Sequence, residues 1–422
     1  MTTANDTIGP SGSGPSAPPG PANDREPDRS AMMRTYAEPP VTFVRGAGTL
    51  LWDVEGRQYL DFLSGLAVTS LGHAHRAVAD ALDSQARTLL HVSNLFGNVV
   101  APQVASTIDR LIGGGRQSAG GEVFFCNSGA EANECAFKLA RKWAGPGRHV
   151  VLSAWGSFHG RTLATLHATG QAAKHVPFAP LPEGFEHVPY DDLDALDAAC
   201  DASRVAAVIV EPIQGEAGVV VPSSDYLRGI RRICDERGVL LMVDEVQTGL
   251  ARTGRWFGFQ HTGVEPDVVT MAKALGNGVP IGACWARSEV AAAFVPGDHA
   301  TTFGGQPLAT AAARATLEVM EAEDAPGRAS RAGKSLRAGL EGIEGVSEVR
   351  GEGLLLAAGL PDGSAPAVCA AALRLGLVVN APRPDTIRMA PPLLVSDEEV
   401  GQALAIFAKA VGEVLGGGET GA

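Results

Sequence analysis

Between residues 120 and 275 the chain repeats one rhythm: a short, almost wholly apolar run, then a helical pattern. The apolar runs are EVFFCN, HVVLSA, VAAVIVEP, VLLMVDE and DVVTMAK; AEANECAFKLARKWA and DYLRGIRRICDERG are two of the helical stretches between them. Strands with so few polar positions have no face to give to water, so helices must cover both sides of their sheet. The expectation is an α/β fold with a mostly parallel sheet, in a large domain over residues 77–300.

The flanks read differently. Residues 1–30 are rich in Gly, Pro, Ser and Ala and nearly empty of large apolar side chains. Burial cannot offset the entropy of ordering them, so a disordered tail is expected there. Residues 31–76 form an N-terminal segment expected to join the small domain. Within it Val41–Leu63 alternates and turns at Gly46, Gly48 and Gly56, as an antiparallel meander does. Residues 301–422 mix helical stretches with the short runs VSEVRGEG, LLLAAGL, LVVNAP and TIRMAP, and close on DEEVGQALAIFAKAVGEVL, which suggests a small α+β domain.

At 422 residues the chain suits two domains sharing a cleft. A net charge of -13, with no basic run, argues against a nucleic-acid partner. The six cysteines make no Cys-x-x-Cys pair, sit in apolar sequence and read as free core residues of a reducing compartment. No apolar run is long enough for a membrane span, and no basic-then-apolar start marks a secretory signal, so a cytoplasmic protein is expected.

Ligands of open α/β sheets bind beyond the carboxyl ends of the strands, and four such ends carry polar residues. After EVFF comes Cys-Asn-Ser-Gly-Ala-Glu, where Ser128 and Glu131 have capping-box spacing. The free amides of that helix start would hold a phosphate; a well-capped helix without ligand is the bland alternative. Asp244 follows VLLMV and could hold a metal, take a proton, pair with a protonated ring nitrogen, or merely cap a helix. Lys273 ends an apolar strand before a glycine-rich turn, where burial of an ammonium is costly and a desolvated amine becomes nucleophilic. Phe158 and Arg161, in SFHGRT, offer a stacking face and a carboxylate grip, or else an ordinary core ring and a surface cation. Together these four ends describe pyridoxal phosphate: phosphate donors, a ring stacker, a carboxylate for the pyridine nitrogen and an aldehyde-reactive amine.

With those residues in place, the chain resembles class III aminotransferases of fold type I, in their acetylornithine/ornithine group. The blocks that carry the resemblance are FLSGLAVTSLGHAH, VFFCNSGAEANECAFKLARK, GSFHGRTLATLHATG, VEPIQGEAGVVVP, VDEVQTGLARTGRWF, PDVVTMAKALGNGVPIGA, PGDHATTFGGQPLA and RMAPPL. The resemblance covers about residues 36–415.

The resemblance implies that Ser128, Gly129 and Ala130 lie at the cofactor phosphate. It further places Phe158 and Val246 on opposite ring faces, Asp244 at the ring nitrogen, Gln247 at the phenolic oxygen and Lys273 as the Schiff-base lysine. Thr302 would bind the phosphate of a neighbouring subunit, with Thr301 as the adjacent substrate contact, in a homodimer whose sites lie at the interface. Arg161 would receive the α-carboxylate of an acylated ornithine. Glu216 and Arg388 would form a switch pair: Glu216 masks Arg388 while the long amine donor is bound and releases it for glutamate or 2-oxoglutarate. Leu66 stands where δ-type ornithine aminotransferases carry a tyrosine for the free α-amine, which favours an acylated donor.

Four positions depart from the family pattern: Gln306, Arg76, Asn277 and Thr69. An aminomutase or racemase would share the lysine, aspartate and phosphate loop, but Glu216 with Arg388 argues for transamination. No P-loop motif is present, and GNGVPIG fails the dinucleotide spacing. His73 and His75 lack a third metal partner in sequence and read as loop histidines.

Overall fold

A computed structural model of the chain describes residues 31–115 and 117–416; the tail expected over residues 1–30 lies outside them. Seven strands build the central sheet. In spatial order they are Gly121–Cys126, Gly282–Arg287, Val268–Met271, Leu240–Asp244, Val205–Val210, Val150–Ala154 and Phe185–Val188. Gly282–Arg287 runs antiparallel to both neighbours; the remaining adjacent pairs are parallel. The mostly parallel α/β sheet is thus as the apolar runs imply.

Every position of Val205–Val210 and Leu240–Asp244 is buried, which requires cover on both faces. Alternate side chains supply two cores. Ala207, Ile209 and Met242 pack with Phe137 and Leu139 of helix Gly129–Ala144. Val208, Val210 and Leu241 pack on the other face with Ile230 and Ile233 of helix Tyr226–Arg237 and with Ile108 of helix Val100–Ile112.

Two strands escape the sequence reading. Phe185–Val188 is an edge strand with only its two ends apolar and buried. Gly282–Arg287 (GACWAR) carries small residues and an arginine after a glycine-rich turn, and is recognised as a strand only by its two partners.

The N-terminal meander forms as Phe43–Ala47, Leu50–Asp53 and Gln58–Asp61. The single run expected at LVVNAP divides. Leu377–Val378 joins the meander as a parallel neighbour of Gln58–Asp61. Asn380–Arg383 instead completes a separate antiparallel sheet with Thr386–Met389, Leu355–Gly359 and Glu348–Glu352. Buried Arg252 links the parts: it donates to the carbonyls of Leu354 and Pro391 at 3.1 and 2.5 Å and to Ser70 Oγ at 3.1 Å. Among the described residues, no helix is long and apolar enough to cross a membrane.

Candidate active site

The strand ends singled out in the sequence meet at one cavity of about 410 Å³, a size typical of small-molecule sites. Ser128, Gly129, Ala130, Phe158, Arg161, Glu216, Asp244, Val246, Gln247 and Lys273 all line it. Arg388 stands behind the lining and donates from Nη1 to Glu216 Oε1 at 2.6 Å and to Gln247 Oε1 at 3.0 Å. Thr301 and Thr302 line a neighbouring cavity of about 530 Å³, which shares Asn127 with the first.

Ser128 caps helix Gly129–Ala144, accepting from the Glu131 amide at 3.2 Å. The reciprocal half of the expected box goes elsewhere: the Glu131 carboxylate takes the Asn127 amide at 2.5 Å and its side-chain Nδ2 at 2.9 Å. The Gly129 and Ala130 amides therefore open the helix without helical partners and point its positive end at an anion. A Cβ on Gly129 would meet Val246 at 2.8 Å, so only glycine lets this turn and Val246 close on each other.

Asp244 does not cap a helix. It ends its strand buried, and Oδ2 accepts from Asn133 Nδ2 and bonds His159 Nδ1, both at 2.8 Å. Oδ1 takes the Val246 amide at 3.0 Å and retains acceptor capacity toward the cavity. Asn133 is itself held by the Thr270 hydroxyl at 2.7 Å.

Lys273 begins a short 3-10 turn with φ of 38°, a left-handed conformation that is costly for a side-chain-bearing residue. Burial, with Arg388 adding to it, lowers its amine to about 8 although Glu216 pulls the other way. Burial pushes the Glu216 carboxyl up, but the Arg388 charge and hydrogen bond outweigh it and hold that carboxyl below its ordinary range. One Arg388 nitrogen, Nη2, is buried with no partner, a donor left over for a further acceptor.

These groups fit pyridoxal phosphate. The helix start suits its phosphate, Phe158 and Val246 present half-buried apolar faces to the cavity, Asp244 suits its ring nitrogen and Lys273 its aldehyde.

Sequence reasoning missed Asn133 and His159, which orient Asp244. Asn133 was detectable as a polar residue among Ala132, Cys135 and Ala136 on a buried helix face; His159 sits beside Phe158 and gave no separate signal. Leu66 is 38% exposed and outside the cavity lining, which this segment reaches through Val68.

Three of the four departures have physical reasons. Asn277 takes a left-handed φ of 46°, tolerable for asparagine, and its side chain bonds the Leu71 amide at 2.8 Å and the Gly72 carbonyl at 3.1 Å. Gln306 Oε1 accepts the Val92 amide at 3.0 Å. Arg76 opens helix Arg76–Thr88, a position that proline or arginine can fill, and pairs loosely with Asp80 at 3.4 Å. Nothing in the structure explains Thr69. His73 Nε2 bonds Asp61 Oδ2 at 2.7 Å, tying a loop to the meander.

Known proteins resemble this chain along most of its length. The family model of aminotransferase class-III matches residues 31–411. Acetylornithine aminotransferase of Corynebacterium efficiens is 47% identical over 387 residues, covering 91% of this chain and 95% of that protein. The enzyme of the same name from Gloeobacter violaceus is 50% identical over 385 residues, covering 89% and 94%. Among solved structures, acetylornithine aminotransferase from Elizabethkingia anophelis superposes with a TM-score of 0.80 at 34% identity, covering 91% and 96%. Ornithine aminotransferase from Toxoplasma gondii, whose active site holds pyridoxal phosphate at partial occupancy, gives 0.86 at 37% identity, covering 92% and 94%. With a match along nearly its whole length, this chain belongs to the class III aminotransferases.

Proposed function

We propose that the chain transfers the δ-amino group of N-acetylornithine to 2-oxoglutarate, giving N-acetylglutamate 5-semialdehyde and glutamate. The observation that carries this reading is the cavity itself, where Lys273 and Asp244 face the Glu216–Arg388 pair. Relatives at 47–50% identity bear the name acetylornithine aminotransferase.

Bound pyridoxal phosphate would supply the electron sink that makes a carbon beside the amine acidic. Asp244, held by Asn133 and His159, would present its carboxylate to the ring nitrogen. Gly129 and Ala130 would direct amides at the phosphate, and Phe158 and Val246 would hold the ring between them. Lys273 Nζ would anchor the cofactor and, once released, would be the base that takes the proton from the reacting carbon and returns it to the cofactor side. Arg161 grips the α-carboxylate of the donor. Glu216 would hold Arg388 during that half-reaction and yield it to a carboxylate of 2-oxoglutarate in the other, a second carboxylate-bearing partner that an isomerase would not need. Incubation with N-acetylornithine and 2-oxoglutarate should yield glutamate faster than with ornithine, succinyldiaminopimelate or 4-aminobutyrate. Preference for another donor would reassign the substrate, and no glutamate from any of them would sink the transaminase reading.

Lys273 also makes reconstitution pH-dependent. Its amine titrates at about 8; below that it is an ammonium, which cannot attack an aldehyde, and above it the free amine dominates. Uptake of pyridoxal phosphate by apoenzyme should therefore quicken as pH rises through that value and then level off, as stopped-flow absorbance would record. A flat profile from pH 6 to 9 would contradict the assignment.

The active unit is proposed to be a homodimer in the cytoplasm, the latter in keeping with six free cysteines. Leu95, Phe96, Val99 and Phe303 are exposed by 87, 71, 78 and 66%. The loop and the segment that carry them form one surface: Asn94 donates to the Thr301 carbonyl at 2.8 Å and Asn98 to the Gly305 carbonyl at 3.0 Å. An apolar surface beside Thr301 and Thr302 suits a second copy of the chain. Phe303→Glu should shift the sedimenting mass from dimer to monomer; a variant that stays dimeric would place the interface elsewhere.

A further inference from the structure

One buried carboxyl in the cavity has no role in the reaction as derived. Glu211 follows strand Val205–Val210 directly, lines the cavity and is only 7% exposed. Its Oε2 is buried with no hydrogen-bond partner. Asp244, also buried, lines the same cavity from the adjacent parallel strand, where Val210 pairs with Val243 immediately before the two carboxyls.

Two neighbouring buried carboxyls resist carrying charge together, so one must keep a proton. The donors decide which. Asp244 receives Asn133, His159 and the Val246 amide. Glu211 has an orphaned oxygen instead, and an orphaned anion in a dry site is far costlier than an orphaned acid.

We propose that Glu211 and Asp244 form an asymmetric carboxyl pair, in which Glu211 holds the proton and Asp244 the negative charge. Glu211 is then a positioning residue that acts through Asp244: its neutrality leaves a single anion for the cofactor ring nitrogen. Burial first, and the Asp244 charge second, push the Glu211 carboxyl well above its usual range; Glu216 adds to this, while Lys273 and the Phe158 amide oppose it. The inference rests on the assignment of Asp244 to the ring nitrogen.

Infrared spectroscopy of the holoenzyme at pH 7 tests it. Wild type should show the carbonyl band of a buried protonated carboxyl, shifted in heavy water and lost in Glu211→Gln. That variant should keep wild-type affinity for pyridoxal phosphate, because an amide is as neutral as the acid it replaces. No such band in wild type, its survival in Glu211→Gln, or a loss of affinity of about tenfold or more, equivalent to one pKa unit, would overturn the pairing. Should Glu211→Gln fail to fold, Asp244→Asn decides: without its charged neighbour the Glu211 band should titrate away at lower pH, and an unmoved midpoint overturns the proposal. The visible cofactor band of wild type reports separately on the functional reading. Its absence would sink that reading, while the infrared band still settles where the proton lies.

Discussion

Lys273→Ala should lose the visible absorption of bound pyridoxal phosphate and at least about four orders of magnitude of turnover. The size follows from two proposed roles in one atom, since the same amine would anchor the cofactor and move the proton. Its geometry supports both: Lys273 lines the cavity, sits in a left-handed backbone conformation and has an amine lowered to about 8 by burial. The circular dichroism spectrum should stay that of the wild type, because no hydrogen-bonded partner among the described residues is stranded when the amine goes. A Lys273→Ala protein that keeps the band, or more than about a hundredth of the rate, would mean that another amine carries the cofactor.

Arg388→Ala should divide the two half-reactions. Arg388 is buried and bonded to Glu216, Gln247 and Asn380 at 2.6, 3.0 and 3.2 Å. Truncating one partner of a buried charge-assisted pair costs about 2–5 kcal/mol, so kcat/KM for 2-oxoglutarate should fall on the order of a hundredfold or more. On the proposed switch, Glu216 would occupy the arginine while the amine donor is bound, so that half-reaction should fall less. Single-turnover absorbance with each substrate separates them. Equal losses in both would show that the pair is structural, serving only to hold Gln247 and Glu216 in place.

Much of the fold was legible because its strongest signals are local. Val205–Val210 and Leu240–Asp244 are apolar throughout, and such runs have few other homes than a covered parallel sheet. Helix Asp397–Leu415 was legible too, from its amphipathic period, and the structure adds a capping box of Ser396 and Glu399 at its start. Gly282–Arg287 was not, since pairing with two neighbours makes it a strand and its composition does not. The division of LVVNAP between two sheets was equally hidden, because which partner a short apolar run meets depends on chain segments more than 300 residues away.

The candidate site divides in the same way. Residue type at a strand end was enough to single out Ser128, Phe158, Arg161, Asp244 and Lys273, because strand carboxyl ends share one sheet edge whatever the remaining loops do. Resemblance supplied Glu216 and Arg388, and the structure brings them within 2.6 Å. Only the tertiary structure disclosed what surrounds Asp244. Asn133, His159 and Glu211 come from a helix, a loop and the neighbouring strand, and no spacing in the chain relates them. Sequence by itself thus determined the sheet and the chemical kinds of group at its edge, because alternation and residue type are properties of neighbouring residues. Tertiary structure alone decided which of those groups are desolvated, which are paired and where a proton must sit. Those are properties of distance and burial, which separate segments create only when they pack together.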